Sequence, residues 1–281
     1  MNNKALIILV IITFLITGSY GCGGKNGSNT SLGTAPTATG GTGTGTDSGP
    51  NGSGTGTGTG TGGGTGAGNV NVDPSFGSGG NIAPGKEGTW DTSGSYYVYI
   101  PVSYSESFAS PVVFLFNEKI FEWKAVADAD AVIIVDLNNY NNFDLLVARL
   151  QHAYQKLEAE YNVDKARYYL AGWSAGGNIA IGITNSNQNF VAAVMTFPGS
   201  GGGVAIPPER PGGAKYYYAV GDQDTGTGFY PGVVTEAENM KAMGYTAHCE
   251  VYNGCGHRIE EAKWHARAAA WQWVKGFNLK N

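Results

Sequence analysis

The stretch Arg167-Tyr168-Tyr169-Leu170-Ala171-Gly172-Trp173-Ser174-Ala175-Gly176-Gly177 decides how this chain folds. Residues 167–171 are rich in aromatic and apolar side chains, the composition of a buried strand. Gly172, Gly176 and Gly177 surround Ser174, and helix-compatible sequence follows. A strand that turns into a helix within a few residues has no space for side chains beside the turn, so these positions must be small. Gly-x-Ser-x-Gly carries meaning in this strand–turn–helix setting, where it holds a serine hydroxyl above the sheet edge. The helix N-terminus brings partial positive charge, and the Ala175 N–H is placed to donate to a developing oxyanion.

Working outward, residues 95–102 alternate and carry Tyr96, Tyr97 and Tyr99, which suits a half-exposed early strand. Residues 112–116 and 131–135 are short continuous apolar runs, the pattern of strands buried on both faces. Between them the connection is short. Phe143, Leu146, Leu150, Ala153, Leu157 and Tyr161 recur in steps of three and four, which predicts an amphipathic helix. Further strands are expected at 190–197, 215–220 and 246–252, with helices from 174, at 233–243 and at 260–274. Strands separated by helices give a mostly parallel sheet with helices on both faces, a doubly wound α/β domain. The 17 residues from 198 to 214 leave no room for a helical lid.

A serine at neutral pH needs a base, and the base needs an orienting carboxylate. His257 lies in Asn253-Gly254-Cys255-Gly256-His257, directly after the strand at 246–252. Parallel strands aim their C-terminal ends at one sheet edge, so this loop opens beside Ser174. His152 falls mid-helix, His248 within a strand and His265 inside the last helix, and all three suit the role less well. For the acid, the strand at 215–220 runs into Gly221-Asp222-Gln223-Asp224-Thr225-Gly226, where Asp222 and Asp224 both qualify. Three strand ends supply three complementary groups in the order Ser…Asp…His.

On these residues, positions 86–281 resemble the α/β-hydrolase fold, most closely the compact secreted esterases grouped with poly(3-hydroxybutyrate) depolymerases and feruloyl or acetylxylan esterases. The segment from Tyr161 to Gly177, Gly221-x-x-Asp224 and Gly256-His257 are similar to that group's motifs. The resemblance implies a serine esterase with Ser174 as nucleophile, His257 as base and Asp224, rather than Asp222, as acid. It implies carboxylic ester substrates, either polysaccharide-linked acetyl or feruloyl esters or a polyester. One departure stands out. The group has His-Gly after the strand at 112–116, whereas this chain reads Asn117-Glu118-Lys119. The second oxyanion donor then falls to the Glu118 N–H, with its carboxylate required to turn away. That departure motivates a rival reading, a non-catalytic binding protein on a hydrolase scaffold. A peptidase on the same fold is a further alternative. Trp173, Phe229 and Tyr230 are candidates for an aromatic substrate wall, although each also suits packing or loop anchoring.

The N-terminal part is a different polymer. Residues 1–21 read as a signal peptide, with Lys4, an apolar run over residues 5–16 and then small residues. That run is shorter than the roughly 20 apolar residues of a membrane span. Ser19-Tyr20-Gly21-Cys22 resembles a bacterial lipobox, although Ser19 stands where Leu is usual. The resemblance implies lipidation of Cys22 and anchoring at the bacterial cell surface or outer membrane, with secretion as the alternative. Residues 22–85 read as a disordered tether: positions 23–85 hold 23 of the 45 glycines and only Lys25, Asp47 and Asp73 as charges. Such a coil reaches roughly 40–48 Å.

The whole net charge of −5 falls on residues 86–281, which argues against a nucleic-acid binder. No spacing suits a metal, and no glycine run is a phosphate loop, so no cofactor is expected. The domain is expected to act as a monomer. Cys249 and Cys255 flank the histidine loop, and a disulfide between them would pin His257. The extended backbone after Cys249 works against the approach of about 6 Å that this requires, so the pairing stays open.

Overall fold

The computed structural model describes residues 87–89, 96–138, 142–201 and 213–280. The expected signal peptide, Cys22 and the whole tether lie outside these residues. Among the described residues no helix is long and apolar enough to cross a membrane.

Among the described residues eight strands form one sheet: β1 Glu87–Thr89, β2 Tyr97–Tyr99, β3 Ser110–Phe116, β4 Ile133–Asp136, β5 Val163–Gly172, β6 Ala193–Thr196, β7 Lys215–Gly221 and β8 Ala247–Tyr252. Their spatial order is β1-β2-β4-β3-β5-β6-β7-β8. β1 and β2 pair antiparallel, as do β2 and β4, and every later neighbour is parallel. β3, β4, β6 and β7 are buried along their whole length, which is why they do not read as alternations.

The helices are α1 Lys124–Asp130, α2 Phe143–Glu160, α3 Ala175–Ser186, α4 Gly232–Ala242, α5 Glu261–Trp264 and α6 Ala266–Val274. Leu146, Leu150, Ala153 and Leu157 of α2 join Ile181 and Ile183 of α3 and Val233, Ala237 and Met240 of α4 over one sheet face. Val126 and Ala127 of α1 and Ala266, Ala270, Trp271 and Val274 of α6 cover the other. Alternate strand residues divide between the two cores; Tyr168 and Leu170 belong to the first, Tyr169 and Ala171 to the second. The doubly wound α/β expectation holds, and the sheet is that of the α/β-hydrolase fold. α2 starts where its apolar period starts, because the Asn142 side chain accepts the Leu145 N–H at 3.0 Å and caps the first turn.

Three local expectations are corrected, and one open pairing is answered. The connection after β3 is not a bare link: a 3-10 turn, Ile120–Glu122, and then α1 occupy it. Ala131, read as the start of a strand, ends α1 in a left-handed conformation (φ 54°). The last helix is broken, since His265 takes φ 51° between α5 and α6. Cys249 and Cys255 are both free. The sheet itself separates them, with Cys249 packed against one core and Cys255 buried in the other.

Candidate active site

At the end of β5 the chain reverses into α3 through Ser174, whose φ of 56° and ψ of −123° are strained for a residue with a side chain. The strain is held by backbone bonds on every side. Trp173 N–H donates to Phe116 O at 3.1 Å, Ser174 N–H to Pro198 O at 2.7 Å, and Asn178 N–H to Ser174 O at 3.1 Å. No other residue replaces the glycines at this crossing. A Cβ on Gly176 would lie 2.0 Å from Phe116 O, and one on Gly172 would lie 2.5 Å from the Gly176 carbonyl. A Cβ on Gly177 would meet Pro198 O at 2.7 Å.

His257 Nε2 lies 2.9 Å from Ser174 Oγ, and its Nδ1 lies 2.8 Å from Asp224 Oδ2. An ionised carboxylate only accepts, so Nδ1 carries the proton and the Nε2 lone pair faces the serine hydroxyl. The Asp224 side chain is 1% exposed while His257 is 28% exposed, so the relay runs from a dry end to an open one. The second Asp224 oxygen accepts from Thr227 Oγ, and the Asp224 carbonyl accepts the Tyr230 N–H at 3.2 Å. Asp222 faces elsewhere. Its Oδ1 accepts the Gly254 N–H at 2.8 Å and so ties the histidine loop to the end of β7. The two aspartates have separate partners, which the sequence could not assign from position alone.

Gly221 is the glycine that this junction needs: its Cβ would lie 2.1 Å from Cys255 O, where Gln223 N–H also donates at 2.9 Å. Gly256, beside His257, is under no such demand, since nothing lies within 4 Å of a Cβ placed there.

Trp173 and Phe229 both pack against the His257 ring, with centroid distances of 5.3 and 5.5 Å. Trp173 Nε1–H donates to the His257 carbonyl at 3.1 Å, so this ring also anchors the loop. Tyr230, half-buried, packs against the main core, and its N–H is the donor to the Asp224 carbonyl. Among the described residues no cluster of His, Cys, Asp or Glu is arranged to hold a metal.

Ala175 is exposed at the start of α3, and the chain leaving β3 runs beside this turn. Asn117 takes φ 55°, and its side-chain amide donates to Trp173 O at 3.2 Å, which keeps this loop against the serine turn. The Glu118 carboxylate is buried against Arg267, with Nη2–Oε1 at 2.6 Å. Arg267 and Thr227 were not identified from sequence; neither carries a motif, and Arg267 meets its partner across 149 positions.

No protein-family model matches this sequence, and no curated protein matches it either. Solved structures do resemble it. Est1E from Butyrivibrio proteoclasticus is 11% identical, with a TM-score of 0.50 over 66% of this chain and 96% of its own. The apo form of Thermogutta terrifontis esterase 2 is 15% identical, with a TM-score of 0.47 over 69% of this chain and 92% of its own. At such identities the likeness concerns the fold alone.

Proposed function

We propose that this domain is a serine esterase acting on carboxylic esters. The observation that carries the reading is the continuous relay Asp224–His257–Ser174 ending on a strained serine at the head of a helix. In this mechanism the Ser174 hydroxyl gives its proton to His257 Nε2 as Oγ attacks the ester carbonyl. Asp224 holds the resulting imidazolium. The oxyanion is met by the N–H groups of Ala175 and Glu118, and His257 then returns the proton to the leaving alcohol. Water repeats the sequence on the acyl-enzyme and frees Ser174.

The pairing of the buried Glu118 carboxylate with Arg267 supports this reading over a binding protein without activity, since the charge that motivates the rival has its own partner. A polysaccharide-linked acetyl or feruloyl ester, or a polyester, is the substrate class that the family resemblance favours, with Trp173 and Phe229 as the aromatic walls beside His257. Export through residues 1–21, lipidation of Cys22 and a glycine-rich tether fit an enzyme that reaches a substrate unable to diffuse to it. Hydrolysis of p-nitrophenyl acetate by the wild type, absent in Ser174→Ala, is the direct test. Equal rates in the two proteins would refute the reading.

A further inference from the structure

The position where Gly is usual holds Glu118, and its side chain is built into a charge cluster beneath the site. Arg267 Nη2 lies 2.6 Å from Glu118 Oε1, and Arg267 Nε–H donates to Glu118 Oε2 at 3.1 Å, a two-pronged pair in which the side chains are 1% and 2% exposed. Trp123 Nε1–H adds a bond to Oε2 at 3.3 Å. The same guanidinium lies 3.0 Å from Glu122 Oε2, donates through Nη1 to the Ile259 carbonyl, and stacks 4.5 Å above the Phe197 ring. Glu122 in turn holds Arg258 at 2.6 Å.

These contacts join three segments. Glu118 belongs to the loop after β3, Ile259 follows His257 by two residues, and Phe197 follows β6, next to the Pro198 carbonyl that fixes Ser174. A planar, permanently charged fork suits this task, because it fixes direction as well as distance. We propose that the Glu118–Arg267 pair is a positioning device that sets the Glu118 N–H as oxyanion donor and holds it in register with the His257 loop. It takes over the part that a glycine-shaped turn would otherwise play. The proposal rests on the esterase reading. Arg267 touches no reacting atom; it acts through the backbone of Glu118 and the segment after His257.

A merely structural pair and a positioning pair differ in what a folded variant loses. Replacing a buried ion pair by uncharged groups of similar volume often leaves stability unchanged or improved. The test therefore uses the full-length chain as wild type, Ser174→Ala, Arg267→Lys and the double variant Glu118→Gln/Arg267→Met. The readouts are Tm, p-nitrophenyl acetate kinetics, and inhibition by a trifluoromethyl ketone. That inhibitor accepts Ser174 Oγ at its carbonyl carbon; the serine proton passes to His257 and the carbonyl electron pair becomes an oxyanion. The double variant is expected to keep a wild-type Tm while kcat falls about 10²-fold with KM little changed, the pattern of an interaction made in the transition state. Ketone affinity should weaken by the same factor as kcat/KM. Arg267→Lys should fall between, since a point charge lacks the fork. Folded Arg267→Lys and double variants that both keep kcat within about threefold of wild type would overturn the proposal. If the double variant does not fold, Arg267→Lys decides by the same criterion. A wild-type rate no greater than that of Ser174→Ala would instead contradict the esterase reading, and the proposal with it.

Discussion

Asp136 ends β4 on the sheet edge that carries the site, and replacing it with Asn should stabilise the protein in a pH-dependent way. Its carboxyl is buried, and burial pushes its pKa up from 3.8 to about 6 against the opposing pull of the Asn138 N–H and Lys119; Glu118 adds to the rise. A folded-state pKa above the unfolded value means that the native protein binds the extra proton between these limits. Stability from Asp136 is therefore full below pH 3.8 and declines until about pH 6, where the group is ionised in both states. A shift of roughly two units corresponds to about 3 kcal/mol. Asn keeps an oxygen for the Asn138 N–H, which Asp136 Oδ1 now accepts at 2.9 Å. Asp136→Asn should then gain up to about 3 kcal/mol at pH 7.5, seen as a Tm rise of roughly 6–12 °C for a domain of this size. At pH 4 the gain should nearly vanish. Urea unfolding of both proteins at the two pH values measures it. An equal difference at both, or a loss at pH 7.5, would refute the argument.

Three further outcomes follow from the site geometry. Asp224→Asn should lower kcat by about 10³–10⁴-fold because it removes the carboxylate that fixes the His257 tautomer. Asp222→Asn, which only loosens a loop bond, should cost about tenfold or less, and ester hydrolysis by the two variants checks the order. Gly221→Ala should destabilise by about 2 kcal/mol or more, since its Cβ would lie 2.1 Å from the Cys255 carbonyl, whereas Gly256→Ala should be near neutral; thermal unfolding compares them. Thr227→Val removes the hydroxyl that donates to Asp224 and should reduce kcat by roughly three- to tenfold with Tm little changed, measured in the same assay.

Sequence and structure agree where the physics is local or periodic. The 18 residues of α2 repeat their apolar positions long enough to be read directly, and the serine turn is written in its own glycines. The relay was legible because parallel strands deliver their ends to one edge, so three loops could be placed together before any distance was known. α1 was not legible: it has seven residues, of which only Val126 and Ala127 are buried, too few for a period. Ala131 is apolar and β-compatible, and nothing in the sequence marks it as a left-handed cap. His265 interrupts an otherwise helical pattern that its neighbours Trp264 and Ala266 continue. Arg267 and Glu118 escape a sequence reading for another reason. Their pairing is a tertiary event, and a buried charge is visible only once its partner is placed. The need for glycine at Gly221 is hidden for the same reason, because steric need depends on which backbone crosses nearby.

Covalent labelling of Ser174 by a fluorophosphonate, read by intact mass and peptide mapping, tests the central claim most directly. The esterase account predicts one adduct per chain, on Ser174, absent in Ser174→Ala and formed far more slowly in His257→Ala. No adduct on the wild type, or equal labelling of Ser174→Ala, would contradict it.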